Sequence, residues 1–193
     1  MTLCQVSKNN MKLKLYIDFD GVILDSFDVS YKLIEESGIA LIEENYEKIQ
    51  KYYQELDWNK LLKLCSPIND SINNIKKIIK SNLYDVCILT HVYNDEEIMG
   101  KQEFIDANLK GIDVIYVNKK DNKCDVVDCN NAILVDDYMG NLDLWENKGG
   151  ISIKFSTTGK EYNCMSIDNL GDLIKKYKEI KELVAKNCKK NIV

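Results

Sequence analysis

The sequence predicts an α/β protein: a three-layer arrangement with a parallel sheet between helices, and a small helical element inserted after the first strand. Three observations predict it. Five short runs rich in Val, Ile and Leu, at residues 13–18, 86–90, 113–117, 133–135 and 151–155, are separated by stretches of helical periodicity, the alternation that gives a parallel sheet covered on both faces. Two of those runs end in paired carboxylates, Asp18 with Asp20 and Asp136 with Asp137. About 65 residues separate Gly21 from the second run at Val86, more than one crossover helix can fill.

The first run, Leu15-Tyr16-Ile17-Asp18-Phe19-Asp20-Gly21-Val22, carries the most chemistry. A strand alternates its faces, so Asp18 and Asp20 point the same way. Two carboxylates side by side stay ionised only with a cation between them; otherwise one holds a proton. Ligand crevices in open α/β sheets lie at this end of the strands, so the pair asks for a hard metal, an acid/base role, or both. Gly21 suits a turn in which backbone must approach a phosphate, or a plain tight turn.

Residues 29–37, 43–55 and 58–64 then read as helices, and a cap is placed at 27–65. That leaves 11–26 and 66–193 as the core and 1–10 as a loose tail. Asp25 and Ser26 belong to the turn entering the cap. Its aromatics, Tyr31, Tyr46, Tyr52, Tyr53 and Trp58, either stack a planar substrate or form the cap's own core. Ile75, Ile78 and Ile79 mark a helix leading to the second strand, which ends in Thr90 and His91. Residues 94–108 read as a helix that buries Ile98, Phe104 and Ile105 and leaves Lys101 on the surface. Lys119, Lys120 and Lys123 lie between the third and fourth strands. Leu142, Leu144 and Trp145 mark a short helix closed by Gly149-Gly150. A last helix over 169–186 carries Leu170, Leu173, Ile174, Tyr177, Ile180 and Val184 at helical spacing.

Composition narrows the partners. The chain has 193 residues, 45% of them apolar, and a net charge of −5, which gives an ample core and disfavours a nucleic-acid polymer as partner. No run approaches the roughly 20 apolar residues of a membrane span, and no signal peptide is visible. Seven cysteines without a Cys-x-x-Cys pair, and one histidine, argue against structural zinc and fit reduced thiols in a cytoplasmic protein. Cys87 and Cys124 read as filler of the core or surface.

The order Asp18-x-Asp20, Thr90, Lys123, Asp136-Asp137, each at or beyond a strand end, resembles the haloacid dehalogenase (HAD) superfamily of phosphohydrolases over residues 13–155. The resemblance implies a Rossmann-like HAD core and a Mg²⁺-dependent phosphate monoester hydrolase. Asp18 would be the nucleophile, forming an aspartyl-phosphate. Asp20 would protonate the leaving oxygen and later activate water. Gly21, Thr90 and Lys123 would bind the phosphate. Lys123-Cys124-Asp125-Val126-Val127 looks like the family's lysine at the start of a short helix, which favours Lys123 over Lys119 and Lys120. The metal site would take the Asp18 carboxylate, the Asp20 carbonyl, Asp136 and Asp137, with Asp136 the first choice as direct ligand. Asn122-Lys123-Cys124-Asp125-Val126-Val127, Trp145 with Gly149-Gly150 and the small insertion resemble the bacterial 5′(3′)-deoxyribonucleotidase-like branch. The expected partner is a small phosphorylated substrate, bound by a monomer or homodimer.

Two other classes compete. A response-regulator receiver also gathers acids, Thr, Lys and Mg²⁺, but its accepting Asp lies on a later strand than its acidic pair, the reverse of the order here. A silent HAD-like scaffold that binds a phosphorylated ligand or a protein partner would have no need of both Asp18 and Asp20. A nucleotide-dependent kinase would need a phosphate loop of the Gly-x-x-x-x-Gly-Lys-Ser/Thr kind, and none is present.

Overall fold

The structure, a computed structural model, describes residues 12–190; the proposed tail at 1–10 lies outside them. Six strands, β1 (Leu13–Ile17), β2 (Tyr84–Val92), β3 (Asp113–Asn118), β4 (Ile133–Asp136), β5 (Ile151–Phe155) and β6 (Met165–Ile167), form one parallel sheet in the order β3-β2-β1-β4-β5-β6. The architecture is the expected Rossmann-like α/β fold. β6 went unforeseen because three residues, Met165-Ser166-Ile167, give a single alternation, too little for periodicity to register.

Alternate residues of each strand feed two apolar layers. Leu15 and Ile17 of β1 pack on one side with Ile88, Val135 and Ile153. Tyr16 packs on the other with Leu89, Leu134 and Trp145. All of these are buried, which is why the strands read as nearly continuous apolar runs.

From β1 the chain moves outward to β2 and β3, then returns to the other side of β1 for β4, β5 and β6. The direction of winding therefore reverses between β1 and β4, and a crevice opens at the carboxyl ends of strands at such a point. Register aligns the two carboxylate-bearing ends there: Ile17 pairs with Val135, and the Asp18 amide donates to the Val135 carbonyl at 2.9 Å.

Between β1 and β2 lie α1 (Ser26–Glu36), α2 (Tyr46–Gln54), α3 (Trp58–Leu64) and the crossover helix α4 (Ser71–Ser81). The chain leaves the sheet and comes back through a paired neck. Leu24 bridges Pro67 in antiparallel fashion, the Asp25 amide donates to the Ser66 carbonyl at 3.1 Å, and the Ser66 amide donates to Asp25 Oδ1 at 2.6 Å. The inserted helices fold back over the sheet end, with α3 lying against α5 (Asp95–Asn108). The two helices come close at Gly100, where a Cβ would stand 3.4 Å from the Trp58 Cβ.

Beyond β3 come α6 (Lys123–Val126) and, after β4, α7 (Met139–Asn147). The single last helix expected over 169–186 is two helices, α8 (Asp172–Lys175) and α9 (Tyr177–Lys190), broken at Lys176. At the break the Tyr84 hydroxyl of β2 donates to the Leu173 carbonyl at 2.7 Å, so that carbonyl finds its partner in the sheet. Both Leu173 and Ile180 still reach the core.

Candidate active site

The chain turns sharply as soon as β1 ends. The Ile23 amide donates back to the Phe19 carbonyl at 2.9 Å and the Gly21 amide to the Leu24 carbonyl at 2.8 Å. Gly21 has φ +70°, and a Cβ there would lie 2.6 Å from Asp137 Oδ2. Glycine is required at this position twice over, by backbone conformation and by the approach of the second carboxylate pair.

Four of the expected residues meet at one point. Lys123, at the start of α6 and buried, places its ammonium 2.8 Å from Asp18 Oδ1 and 2.7 Å from Asp136 Oδ2. One carboxylate oxygen from each of Asp18, Asp136 and Asp137 falls within a cluster no wider than 4.8 Å. Asp136 is fully buried, with a donor on each oxygen: Lys123 and the Asn141 amide (2.9 Å) on Oδ2, and the Tyr138 amide (2.8 Å) on Oδ1. Asp137 is half-buried and lines the adjoining cavity. Among the described residues no hydrogen bond or ion pair reaches its carboxylate, although Lys154 of β5 donates to its main-chain carbonyl.

These environments set the charges. Burial pushes Asp18 up to about 8 against the opposing pull of Lys123, and burial with the Asp136 charge pushes Asp137 up to about 6. Asp136 is held below its ordinary value: Lys123 and the amide donors outweigh its burial. Three carboxylates thus share one ammonium, and without a cation the cluster retains a proton near neutrality. This donor set fits Mg²⁺, a hard ion bound by a few carboxylates together with waters and substrate oxygens. Asp137 has no competing donor, whereas Asp18 and Asp136 are both engaged by Lys123.

A pH dependence follows. The carboxyls of Asp18 and Asp137 sit above their ordinary 3.8. Their contribution to metal-free stability is therefore fully present below about pH 4 and is lost as pH rises through 6 towards 8. A cation displaces the retained proton and removes that loss. The melting temperature of metal-free protein should show this decline, and the stabilisation by added Mg²⁺ should be small at pH 5 and grow up to pH 8. Equal Mg²⁺ stabilisation at both ends would contradict the cluster as its site.

Asp20 stands apart from this network. Its Oδ1 accepts from the Ser26 hydroxyl at 2.7 Å, and its Oδ2 accepts from the Lys101 ammonium at 2.6 Å. Lys101, expected on the surface, is fully buried, because α5 turns inward the stripe Glu97, Gly100, Lys101 and Ile105. Its ammonium also contacts Glu97 Oε1 (2.7 Å), the His91 carbonyl (2.9 Å) and Thr90 Oγ1 (3.0 Å). Thr90 is likewise closed off from solvent. Glu97 and Lys101 were both missed in the sequence. The available signal was their spacing of four and eight residues from the core position Ile105, which puts them on its face of the helix.

Above the carboxylates lies a cavity of about 1150 Å³, lined by Asp18, Asp20 and Asp137 below and by residues of the insertion above. Tyr31, Tyr46, Tyr53 and Trp58 of the insertion all line this cavity, with different exposure. Tyr53 and Trp58 are buried, and the Tyr53 ring stacks on Tyr93 with centroids 5.3 Å apart and on Trp58 at 6.3 Å. Tyr31 and Tyr46 are exposed on the cavity wall. His91 also lines the cavity. Its Nε2 lies 3.0 Å from the Asp121 carbonyl, which can only accept, so Nε2 carries the proton. Burial lowers its pKa to about 4, and the ring is neutral at pH 7.

Six cysteines among the described residues are free thiols, with Cys87 and Cys124 buried as filler, and no helix of the described residues is long and apolar enough to cross a membrane.

No protein-family model matches the sequence, and no curated protein sequence does either. Solved structures do match. A haloacid dehalogenase-like family hydrolase from Streptococcus pneumoniae superposes with a TM-score of 0.62 at 12% identity, over 86% of this chain and 98% of its own. A hydrolase from Pseudomonas syringae gives 0.60 at 12%, over 88% and 99%. A HAD hydrolase from Bacillus subtilis, bound to magnesium and described as revealing interdomain movement, gives 0.58 at 12%, over 85% and 97%. With its parallel sheet, its insertion after β1 and these neighbours, the chain has the fold of the haloacid dehalogenase-like hydrolases.

Proposed function

We propose that this protein is a Mg²⁺-dependent phosphate monoester hydrolase that works through an aspartyl-phosphate on Asp18. The observation that carries this reading is the separation of two carboxylates two residues apart into two networks. Asp18 lies with Lys123 in the three-carboxylate cluster, while Asp20 is held by Lys101 and Ser26. A nucleophile and an acid/base act from separate positions, and in the metal-free protein burial raises Asp18 whereas Lys101 keeps Asp20 ionised.

Asp18 attacks phosphorus as the bond to the leaving oxygen breaks, and Asp20, ionised beside Lys101, relays to that oxygen a proton carried in by the phosphate monoanion. Water then attacks the acyl phosphate, with Asp20 taking its proton. Lys123 offsets charge on Asp18 and the phosphate, the tight turn at Gly21 brings main chain close to the phosphate, and the Thr90 hydroxyl lies beside Lys101 and Asp20. Bound at Asp18, Asp136, Asp137 and the Asp20 carbonyl, Mg²⁺ would neutralise the phosphate oxygens; the magnesium of the B. subtilis neighbour supports this choice. Residues 27–65 act as the cap. The cavity's size and its exposed Tyr31 and Tyr46 favour a substrate with a flat ring, as in a (deoxy)nucleoside monophosphate.

The test is phosphate release from a panel of nucleoside monophosphates, sugar phosphates and an aryl phosphate, with Mg²⁺ and with EDTA. Mg²⁺-dependent release is expected, with nucleotides preferred. No release by folded protein with Mg²⁺ would transfer the reading to a silent scaffold that binds a phosphorylated ligand.

A further inference from the structure

Lys101 has a place that the reaction as described does not use. It is fully buried beside the reacting groups, with its ammonium over the rings of Phe19 and Trp58 at 5.3 and 5.7 Å. A lone buried ammonium is costly, and a buried ion pair is weak evidence of stabilisation, since apolar side chains of similar volume often serve as well. What Lys101 does achieve is geometric. Glu97 is fixed through Oε2, which accepts from the Tyr93 amide at 2.7 Å, and through Oε1, which holds Lys101 at 2.7 Å. Lys101 in turn grips Asp20 Oδ2 at 2.6 Å, while Ser26 grips Oδ1 at 2.7 Å. Both oxygens of Asp20 are thereby restrained, one from α5 and one from the first residue of α1.

Resting on the hydrolase reading, we propose that Lys101, anchored by Glu97, is a positioning residue that sets the Asp20 carboxyl for proton transfer with the leaving oxygen. It is distinct from Lys123, which serves Asp18 and the metal cluster. Asp20 accepts on both oxygens, and Lys101 holds its carboxyl below the ordinary carboxylate range against the effect of burial. The proton it passes to the leaving oxygen is therefore one carried in by the monoanion of the phosphate ester, and that relay depends steeply on where Asp20 is placed. An alkoxide leaves badly without a proton, whereas a nitrophenolate leaves well without one. Disturbing Asp20 therefore penalises substrates in proportion to their need for the proton.

The experiment compares para-nitrophenyl phosphate with a simple alkyl phosphate in the parent, Lys101→Met and Glu97→Gln, reading kcat and KM separately and checking each fold by thermal denaturation. Lys101→Met should lose roughly 10²-fold in kcat on the alkyl ester and less than about tenfold on the aryl ester, with KM little changed. Glu97→Gln, close in shape but with one acceptor oxygen for the two donors Lys101 and the Tyr93 amide, should shift the ratio the same way by a smaller factor. Should Lys101→Met fail to fold, Glu97→Gln decides alone. Equal losses on both esters, or a change confined to KM, would overturn the proposal, because a purely structural or phosphate-binding role has no reason to sense the leaving group. Asp18→Asn separates the two levels. If it is inactive while the Lys101 losses are uniform, only the positioning role falls; if it retains activity, the hydrolase mechanism itself falls.

Discussion

Asp18→Asn is expected to reduce phosphate release by at least about 10³-fold, since removal of a nucleophile leaves only binding and charge stabilisation. The fold should survive. The Phe19 amide donates to Asp18 Oδ1 at 2.8 Å, and an asparagine oxygen can accept the same bond. Lys123 keeps Asp136 at 2.7 Å. One of three crowded carboxylates disappears, so the metal-free variant should melt no lower than the parent at pH 8, and its stabilisation by Mg²⁺ should shrink. Full activity in a folded Asp18→Asn variant would show that Asp18 is not the nucleophile.

Lys123→Met should damage both stability and activity. Its ammonium is the ion-pair partner of Asp18 and Asp136, and all three side chains are nearly or wholly enclosed. Removing one partner of a buried pair leaves uncompensated charge, at a cost of about 3–5 kcal/mol. For a chain of this size each kcal/mol moves the melting temperature by roughly 2–4 °C. The loss should be largest at neutral to alkaline pH and lessen on acidification, because the stranded carboxyls then protonate. Mg²⁺ should restore part of it by supplying the missing positive charge. A melting temperature within about 2 °C of the parent at pH 7.5, without metal, would mean that the pair does not carry the charge balance assigned to it.

What could be read in the sequence was what is local to a strand end. Asp18, Asp20, Asp136 and Asp137 announce themselves because an apolar run that stops at acids is a short-range pattern. Lys123 is legible through the order of the other motifs together with the short helix that Lys123-Cys124-Asp125-Val126-Val127 suggests, since three lysines lie in that stretch. Lys101 shows the limit. A Glu and a Lys four residues apart normally form a solvated pair on a helix surface, and only the docking of α3 at Gly100 and the placement of Asp20 turn that face inward. Asp136 and Asp137 show another. The sequence cannot show that Asp136 takes donors from Lys123, Asn141 and the Tyr138 amide, because these come from beyond the strand. Asp137 is left as the carboxylate those donors do not reach.

The paired neck at Asp25 and Ser66 has an evolutionary consequence. Two residues 41 positions apart are held by direct main-chain and side-chain bonds, so the intervening helices hang from the sheet as a loop of fixed ends. The entropy of closing such a loop grows slowly, by about 0.6 kcal/mol for each doubling of its length. Lineages can therefore lengthen, shorten or exchange what hangs from this joint while the strand ends stay in register.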